Sequence, residues 1–260
     1  MSKVLVTGGN GHLGKHIVSS LPSKGYHPAV LTTRTIHSES SQVQFFTGDL
    51  FENKGLKEAT VGAEVIIHCA SNPRNFKQID IEGTKNLLDA IDKNVTKHFI
   101  YISIVGIDKS DYPYYGAKLE VEDIIAKSGI PFTILRTTQF HDFVFNMIKT
   151  LEDQNSENED FMIIPSGIKF QSIAVHEVAD LLVSFALEKP KGLLEDCGGP
   201  EVFSFEKMVE SYLGINQKNK GIKLVESEDV RHKLFMTGIN LCPNQNLGKE
   251  TWEEFLNKKV

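Results

Sequence analysis

The segment Met1-Ser-Lys-Val-Leu-Val-Thr-Gly-Gly-Asn-Gly-His-Leu-Gly-Lys15 decides the fold of this chain. Residues 4–6 form an apolar run without helical spacing, as a buried strand does, and the apolar period of a helix follows the segment. Between them, Gly8 allows a tight turn, Gly11 lets a pyrophosphate approach the backbone, and Gly14 lets the helix pack on the strand. The alternative is an ordinary strand-to-helix turn, but this context favours nucleotide binding. The turn residues predicted to contact the cofactor are Gly8, Asn10, Gly11, His12, Leu13 and Gly14.

The composition is that of an ordinary globular protein, with 260 residues, 40% apolar and 24% charged. A net charge of -6 offers no basic surface to nucleic acid, and no apolar run approaches the ~20 residues of a membrane span. Cys69, Cys197 and Cys242 are scattered without metal-ligand spacing, and no signal peptide precedes Val4. We therefore expect a cytoplasmic protein that acts on a small molecule and contacts neither nucleic acid, membrane nor metal.

Strands and helices alternate along the first half of the chain, which predicts an α/β fold with a doubly wound parallel sheet, of the Rossmann type. The predicted strands are 4–6, 27–33, 43–47, 65–68, 98–105 and 132–136, and two of the predicted helices are 79–93 and 115–127. We expect residues 1–136 to form the nucleotide-binding core.

The pattern loosens after Arg136, which predicts a small mixed lobe over residues 137–260 with elements that return to the core. We expect this lobe to bind the substrate. Ser204 is a predicted helix N-cap, and Trp252 is a predicted packing anchor. The predicted helices include 140–151 and 176–187, and the predicted strands are 173–175, an edge strand 193–197, and 222–225.

The end of the second strand indicates which nucleotide binds. NAD sites carry an acidic residue about twenty positions after the glycine turn, which binds the ribose hydroxyls. Here the stretch reads Leu31-Thr-Thr-Arg-Thr35, and no carboxylate appears until Glu39. Arg34 instead offers a planar, always-charged group suited to a 2′-phosphate. The alternative is a solvated surface arginine, but we expect NADP(H) to be preferred over NAD(H).

Tyr114 and Lys118 are four positions apart at the start of a predicted helix, which places both on one face. A free tyrosine is a poor acid-base group at neutral pH, and a neighbouring ammonium lowers its pKa. Pro113 at the start of the helix is also compatible with a purely structural tyrosine. The functional interpretation is supported by Ser103, which lies at the end of the fifth strand, where open sheets of this class bind ligands.

These motifs resemble the short-chain dehydrogenase/reductase superfamily, and more narrowly its atypical NmrA-like branch. The resemblance covers almost the whole chain and implies an NAD(P)-binding Rossmann fold. The segments that carry it are Tyr101-Ile-Ser-Ile-Val-Gly106, Tyr114-Tyr-Gly-Ala-Lys118, Ile134-Leu-Arg-Thr-Thr-Gln-Phe-His141, Gly198-Gly-Pro-Glu201 and Thr251-Trp-Glu-Glu-Phe-Leu256.

The resemblance also implies roles for individual residues. Tyr114 would donate a proton to a carbonyl as hydride arrives, Ser103 would hydrogen-bond the carbonyl oxygen, and Lys118 would tune the tyrosine and hold the nicotinamide ribose. Extended members often carry an asparagine before Gly-Thr, whereas this chain reads Gln78-Ile-Asp-Ile-Glu-Gly-Thr84. The remaining implied contacts are Asp49 and Leu50 along the adenine, Cys69, Ala70 and Ser71 along the nicotinamide, and Gln139, Phe140 and His141 in the substrate cleft.

Two functions compete at this stage. The first is an NADP(H)-dependent oxidoreductase acting on a small carbonyl or quinone-like compound. The second is a non-catalytic, NmrA-like NADP(H) sensor that regulates a protein partner, since many proteins of that branch lack the Tyr/Lys pair. Its retention here favours the enzyme, and the short separation of Ser103 and Tyr114 argues against a sugar-nucleotide epimerase or dehydratase. A scaffold with a decayed site would bind no nucleotide.

Overall fold

The computed structural model describes residues 2–34, 42–157 and 160–259. Seven strands form one parallel sheet with flanking helices, which confirms the predicted Rossmann-type α/β fold. The strands of the chain are β1 (Lys3–Thr7), β2 (His27–Thr32), β3 (Gln44–Thr47), β4 (Ala63–His68), β5 (His98–Ile104), β6 (Phe132–Thr137), β7 (Phe161–Pro165), β8 (Lys169–Phe170), β9 (Gly192–Leu193), β10 (Phe203–Ser204) and β11 (Gly221–Val225). The large sheet has the order β3-β2-β1-β4-β5-β6-β9.

The helices in the described residues are α1 (His12–Ser20), α2 (Leu56–Thr60), α3 (Gly83–Asp89), α4 (Pro113–Lys127), α5 (His141–Gln154), α6 (Val175–Ala186), α7 (Phe205–Ile215), α8 (Val230–Met236) and α9 (Trp252–Asn257). A π-helical turn, Lys77–Glu82, leads directly into α3. The prediction of one continuous α-helix over 79–93 is therefore wrong, because a π-helical turn precedes α3 and α3 ends at Asp89. Within the described residues, no helix is both long enough and apolar enough to span a bilayer.

The chain divides into two compact units. Unit 1 consists of Met1–Ser103, Asp111–Arg136 and Val178–Glu195, and holds most of the large sheet. Its core is built by apolar side chains on both faces of the strands, among them Leu5, Ile66 and Phe99, none of which is exposed. This burial on both faces explains why the strands read as nearly continuous apolar runs.

Unit 2 consists of Ile104–Ser110, Thr137–Glu177 and Asp196–Val260. It contains two small sheets, an antiparallel pair of β8 with β10 and a parallel pair of β7 with β11. Its core is an aromatic and aliphatic cluster in which Trp252 is buried, as predicted, and donates its indole N–H to the Met208 carbonyl at 3.0 Å. The predicted N-cap is confirmed, because the Ser204 side chain accepts the Lys207 N–H at the start of α7.

Two expectations for the chain after Arg136 are wrong in detail. The strand expected at 173–175 is reduced to a single bridge between Ile173 and Phe140, and Val175 begins α6. A short apolar run reads equally as strand or as the start of a buried helix, so its period does not discriminate. At the expected edge strand 193–197, only Leu193 lies in the ladder of β9 and Cys197 forms an isolated bridge with Thr137.

Candidate functional site

The glycine turn joins β1 to α1 by a path that side chains would block. Gly8 has φ +69, and a Cβ there would lie 2.8 Å from the Ala70 nitrogen. Gly11 donates its N–H to the Gly8 carbonyl at 2.8 Å, and a Cβ on Gly14 would overlap that same carbonyl oxygen. The turn therefore needs glycine at all three positions, the first for backbone conformation and all three for space.

A cavity of about 500 Å³ opens beside this turn within unit 1. It combines the glycine backbone with the carboxyl ends of the first strands, where open α/β sheets bind ligands. The predicted cofactor residues that line it are Gly8, Asn10, Gly11, Arg34, Asp49, Leu50, Ala70 and Ser71. The other lining residues were not predicted from the sequence; they are Thr7, Leu31, Thr32, Thr33, Gly48 and Ile79.

The other predicted cofactor residues are not part of the cavity wall. His12 is exposed at the first turn of α1, and its ring lies 6.1 Å from that of His16. Leu13 and Gly14 are buried, and their contact with the cofactor stays a prediction. Cys69 is half-buried, and Lys118 is buried in α4.

The polar groups of the cavity hold one another in place. The Asn10 side-chain amide donates to Thr32 Oγ1 at 3.0 Å, and the Arg34 backbone N–H donates to the same oxygen at 3.2 Å. Arg34 is exposed, so its guanidinium is accessible to an anion. Asp49 Oδ1 accepts two backbone N–H groups of the following turn, at 2.8 and 3.0 Å. Glu39, the first carboxylate after the second strand, lies outside the described residues.

These residues fit a dinucleotide. Gly8 and Gly11 line the cavity, so their backbone is accessible to a pyrophosphate bound there. Because Gly11 caps α1 without a side chain, the positive end of that helix is left for an anion. When bound, a nicotinamide dinucleotide would supply or accept hydride at this site.

Tyr114 is connected to the cavity through Ser71. The two hydroxyl oxygens are 2.7 Å apart, and Ser71 Oγ donates to Asp80 Oδ1 at 2.5 Å. Ser71 is exposed and lines the cavity, whereas Asp80 is 1% exposed. The Tyr114 ring packs beside Phe76, with ring centroids 6.1 Å apart. The Ser71 hydroxyl on the cavity wall thus lies between the Tyr114 phenol and a buried carboxylate.

The Lys118 ammonium is bonded to a backbone carbonyl rather than to the Tyr114 phenol, and its predicted effect on that tyrosine stays a prediction. Its ammonium donates to the Ile102 carbonyl at 3.0 Å and lies 4.2 Å above the Tyr101 ring centroid. Burial lowers the pKa of Lys118 to about 8, against the opposing effect of Asp80. Burial also raises the pKa of Tyr114 to about 12, with Asp80 adding to the rise. In this structure the tyrosine is therefore a neutral phenol.

Ser103 is 1% exposed, and its hydroxyl has no hydrogen-bond partner among the described residues. The buried Tyr101 hydroxyl, on the same strand, is in the same condition. Buried hydroxyls are seldom left unsatisfied, because their desolvation costs about 1–3 kcal/mol. Ser103, one residue before the end of β5, thus keeps an unused hydroxyl at the edge where open sheets bind ligands.

His68, at the end of β4, belongs to a second hydrogen-bonded row. Its Nδ1 lies 2.6 Å from Thr7 Oγ1 and its Nε2 lies 3.0 Å from Thr84 Oγ1. Thr84 Oγ1 in turn donates to the Asp80 carbonyl at 2.5 Å. Burial, with the charge of Lys118 adding to it, lowers the pKa of His68 to about 3, so the ring is neutral. His68 is thus a buried histidine with both ring nitrogens hydrogen-bonded.

The predicted substrate residues Gln139, Phe140 and His141 lie in unit 2. His141 is 1% exposed, with Nδ1 at 2.8 Å from Ser172 Oγ and Nε2 at 3.0 Å from the Glu250 carbonyl. Gln139 Oε1 accepts the Asn240 amide at 3.2 Å, and Phe140 forms the bridge with Ile173. This geometry favours a structural role for His141, and its contact with a substrate stays a prediction.

Asp80 is the residue whose role sequence reasoning missed. The sequence shows that this chain lacks the asparagine that extended members often carry before Gly83-Thr84 and has Asp80 in that stretch. No local pattern, however, links Asp80 to Ser71 or Tyr114. The π-helical turn that carries it is a further signal, because such turns occur often at functional sites.

Comparison with solved structures agrees with this fold. The Escherichia coli NADPH-dependent quinone oxidoreductase, solved with NADPH, superimposes with a TM-score of 0.78 at 16% identity, covering 98% of this chain and 99% of that one. A Staphylococcus aureus nucleoside-diphosphate-sugar epimerase gives a TM-score of 0.78 at 17% identity, with the same coverage of both chains. At these identities the likeness establishes the fold.

Curated relatives are similar over shorter segments. The photosystem II assembly factor Ycf39 of Cyanophora paradoxa is 30% identical over 145 residues, which is 53% of this chain and 45% of that protein. The human decarboxylating sterol-4-alpha-carboxylate 3-dehydrogenase is 32% identical over 108 residues, which is 39% of this chain and 29% of the enzyme. The matched segments thus span less than half the length of these relatives.

The sequence pattern of one family matches residues 8–189, beginning at the first glycine of the turn and including both Tyr114 and Lys118. This range is well over half of the chain, and it contains every residue that lines the cavity except Thr7. The protein therefore belongs to the NAD(P)H-binding family of Rossmann-fold proteins.

Proposed function

We propose that the protein is an NADP(H)-dependent oxidoreductase that transfers hydride to or from a small carbonyl or quinone-like compound. The observation that carries this proposal is the row Ser71–Tyr114, which brings a proton-bearing phenol to the wall of the glycine-turn cavity. The likeness to a quinone oxidoreductase and to a sterol dehydrogenase, both named as redox enzymes, supports a redox role.

The chain's own residues divide the work in this proposal. The glycine turn binds the pyrophosphate, and Arg34 binds the 2′-phosphate through its planar guanidinium. Tyr114 gives a proton to the carbonyl oxygen, which Ser103 holds by a hydrogen bond. Lys118 keeps a positive charge close to the end of β5, where negative charge develops on the substrate oxygen.

Cofactor choice is tested by fluorescence titration of the protein with NADPH and NADH. We expect NADPH to bind at least ~10-fold more tightly, because one charge-assisted contact contributes about 1.5–3 kcal/mol. Arg34→Ala should remove this preference, whereas Lys24→Ala, which removes an exposed charge of unit 1 outside the cavity wall, should preserve it. Equal binding of both nucleotides by the unaltered protein would show that Arg34 is only a surface residue.

Catalysis is tested with Tyr114→Phe and a panel of carbonyl and quinone compounds. We expect turnover to fall by ~100-fold or more, as for the loss of a general acid, while NADPH affinity stays within twofold. A phenylalanine keeps the contact with Phe76 and so preserves folding. Turnover equal to that of the unaltered protein would remove Tyr114 as the proton donor.

The non-catalytic NADP(H) sensor is the second candidate, and one observation favours it. Lys118 is bonded to the Ile102 carbonyl, and Tyr114 is a neutral phenol with a raised pKa, so the pair is not arranged for phenolate chemistry. This function predicts that NADP⁺ and NADPH both bind, that they protect different backbone amides from hydrogen exchange, and that no compound of the panel is turned over.

A further inference from the structure

Asp80 is a buried carboxylate whose two oxygens have defined partners. Its Oδ1 accepts the Ser71 hydroxyl at 2.5 Å, and its Oδ2 accepts the Asn72 backbone N–H at 2.9 Å. It is 1% exposed, while Ser71 is exposed on the cavity wall. A carboxylate that bonds inward to a hydroxyl at a ligand cavity is placed to exchange a proton with that hydroxyl.

The directions of the hydrogen bonds follow from the number of protons available. An ionised carboxylate only accepts, so the single proton of Ser71 points to Asp80. Ser71 Oγ must then accept from Tyr114, because the two hydroxyl oxygens are 2.7 Å apart. In the resting protein the phenol proton is therefore directed towards Ser71, and every proton in the row is aligned towards Asp80.

We propose that Asp80 is the terminal proton acceptor and donor for Tyr114, with Ser71 as the intermediate group of a three-member relay. This inference deepens the proposed oxidoreductase and rests on it. Asp80 acts through Tyr114 and does not touch the substrate. The relay differs from a tyrosine that itself alternates between phenol and phenolate, because Tyr114 here passes protons on and stays neutral.

The relay balances in both directions. When an alcohol is oxidised, its carbinol C–H bond breaks and hydride goes to an oxidised nicotinamide, while its O–H proton goes to Tyr114. Tyr114 passes its own proton to Ser71, and Ser71 passes its proton to Asp80. A C=O bond forms, and the carboxylate becomes a carboxylic acid. When a carbonyl is reduced, hydride arrives from a reduced nicotinamide and the protons run back from Asp80 to the carbonyl oxygen.

The surroundings of Tyr114 support a neutral relay. Burial and the charge of Asp80 raise the pKa of Tyr114, so phenolate is disfavoured. Lys118 is held by the Ile102 carbonyl rather than by the phenol. The other titratable groups that act on Tyr114, Lys118 or Tyr101 in this region are Tyr112, Glu122 and Cys69.

The first arm of the test uses the protein without cofactor or substrate. Carbon-13 NMR of ring-labelled tyrosine follows ionisation at Cζ, and the Tyr114 signal is assigned with Tyr114→Phe. We expect Asp80→Asn to lower the pKa of Tyr114, since a negative charge is removed. Glu82→Gln is the matched control, because it removes an exposed carboxylate of the same π-helical turn that pairs with Lys85. A Tyr114 pKa that is the same in Asp80→Asn, Glu82→Gln and the unaltered protein overturns the relay.

The second arm measures turnover and NADPH affinity. Ser71→Ala breaks the row but leaves the Asn72 bond to Asp80, so it serves as an independent variant where Asp80→Asn fails to fold. We expect both variants to lose ~10–100-fold in kcat, and Asp80→Asn, whose carboxylate is off the cavity wall, to change KM and NADPH affinity less than threefold. The pH profile of alcohol oxidation should be unchanged in Glu82→Gln and altered in Asp80→Asn.

The outcomes separate this proposal from the one on which it rests. If the unaltered protein turns over a substrate, and Ser71→Ala and Asp80→Asn match Glu82→Gln in kcat and pH profile, the relay is wrong and the oxidoreductase stands. If no substrate is turned over by the unaltered protein, the oxidoreductase and its relay both fail, even where the NMR arm shows that Asp80 and Tyr114 are coupled.

Discussion

Two buried histidines, one in each unit, are bonded at both ring nitrogens and yet serve different networks. The row of His68 runs from Thr7, which lines the cavity, through Thr84 to the backbone carbonyl of Asp80, whose carboxylate separately accepts the Ser71 hydroxyl. The network of His141 ends at Ser172 and the Glu250 carbonyl, enclosed by the rings of Trp252 and Phe255. One network has an end at a ligand cavity, and the other closes within its own core.

The comparison shows that the role of a buried histidine depends on which groups its hydrogen-bond partners contact, rather than on its burial alone. Satisfied donors and acceptors fix a unique packing in either case, because leaving one unpaired is costly. Only the row of His68 ends at a residue, Asp80, whose side chain bonds to an exposed hydroxyl, that of Ser71. We therefore expect changes at His141 to alter stability alone, and changes near His68 to alter stability and ligand binding together.

His141→Ala should give the largest effect. It leaves Ser172 and the Glu250 carbonyl without partners and opens a cavity beside Trp252, which together cost about 4 kcal/mol of unfolding free energy. Urea unfolding measures the loss, and NADPH titration of the folded variant should give unchanged affinity. His232→Ala, at a half-buried position with one bond to Ser227, is the control and should cost about 1 kcal/mol. Weakened NADPH binding with unchanged stability would instead place His141 at a ligand.

The network of His141 also shows the limit of reading the sequence. His141 follows β6, at the end of the sheet where ligands bind in this class of fold, and the family resemblance implies a substrate contact there. Its bond to the Glu250 carbonyl joins residues 109 positions apart, and nothing local signals it. The same holds for the short strands β7 and β8, whose partners β11 and β10 lie far along the chain.

Gly14→Ala should act on the other network, with a somewhat smaller effect. The new methyl group would overlap the Gly8 carbonyl, so the turn must shift, and we expect NADPH affinity to fall by ~100-fold, about 2.7 kcal/mol. Gly116→Ala in α4 is the matched control, since a Cβ there meets no atom within 4 Å. It should leave affinity unchanged and stabilise the protein by ~0.5–1 kcal/mol. Equal affinities for the two variants would show that the turn does not bind the nucleotide.

The glycine turn is also where the sequence was most informative. A strand, a turn and a helix that follow each other within fifteen residues are set by local rules, so Gly8, Gly11 and Gly14 could be assigned without a structure. The row from Asp80 through Ser71 to Tyr114 could not, because it joins residues 9 and 43 positions apart. Side-chain partners of that kind depend on the packing of whole elements, as does the turning of Lys118 towards Ile102.

The smallest effect should appear in the pH dependence of stability. Burial lowers the pKa of His68 from 6.5 to about 3. Between these two pH values the unfolded chain therefore binds a proton at His68 that the folded protein does not bind. The stability from this group is fully present above pH ~6.5 and is lost as the pH falls towards 3, at up to about 1.4 kcal/mol per pH unit. Between pH 7 and pH 5 we expect His68 to account for a loss of about 2 kcal/mol.

His68→Gln isolates this contribution, since glutamine keeps a donor and an acceptor but does not titrate. Urea unfolding at pH 5, 6 and 7 should show a weaker fall in stability for the variant, with the difference between the two proteins shrinking by about 2 kcal/mol from pH 7 to pH 5. The structural reason is local: a protonated ring would donate from Nδ1 to Thr7 Oγ1, whose own proton now occupies that bond. Parallel stability curves would mean that His68 takes up its proton in the folded state, with Thr7 free to turn its hydroxyl away.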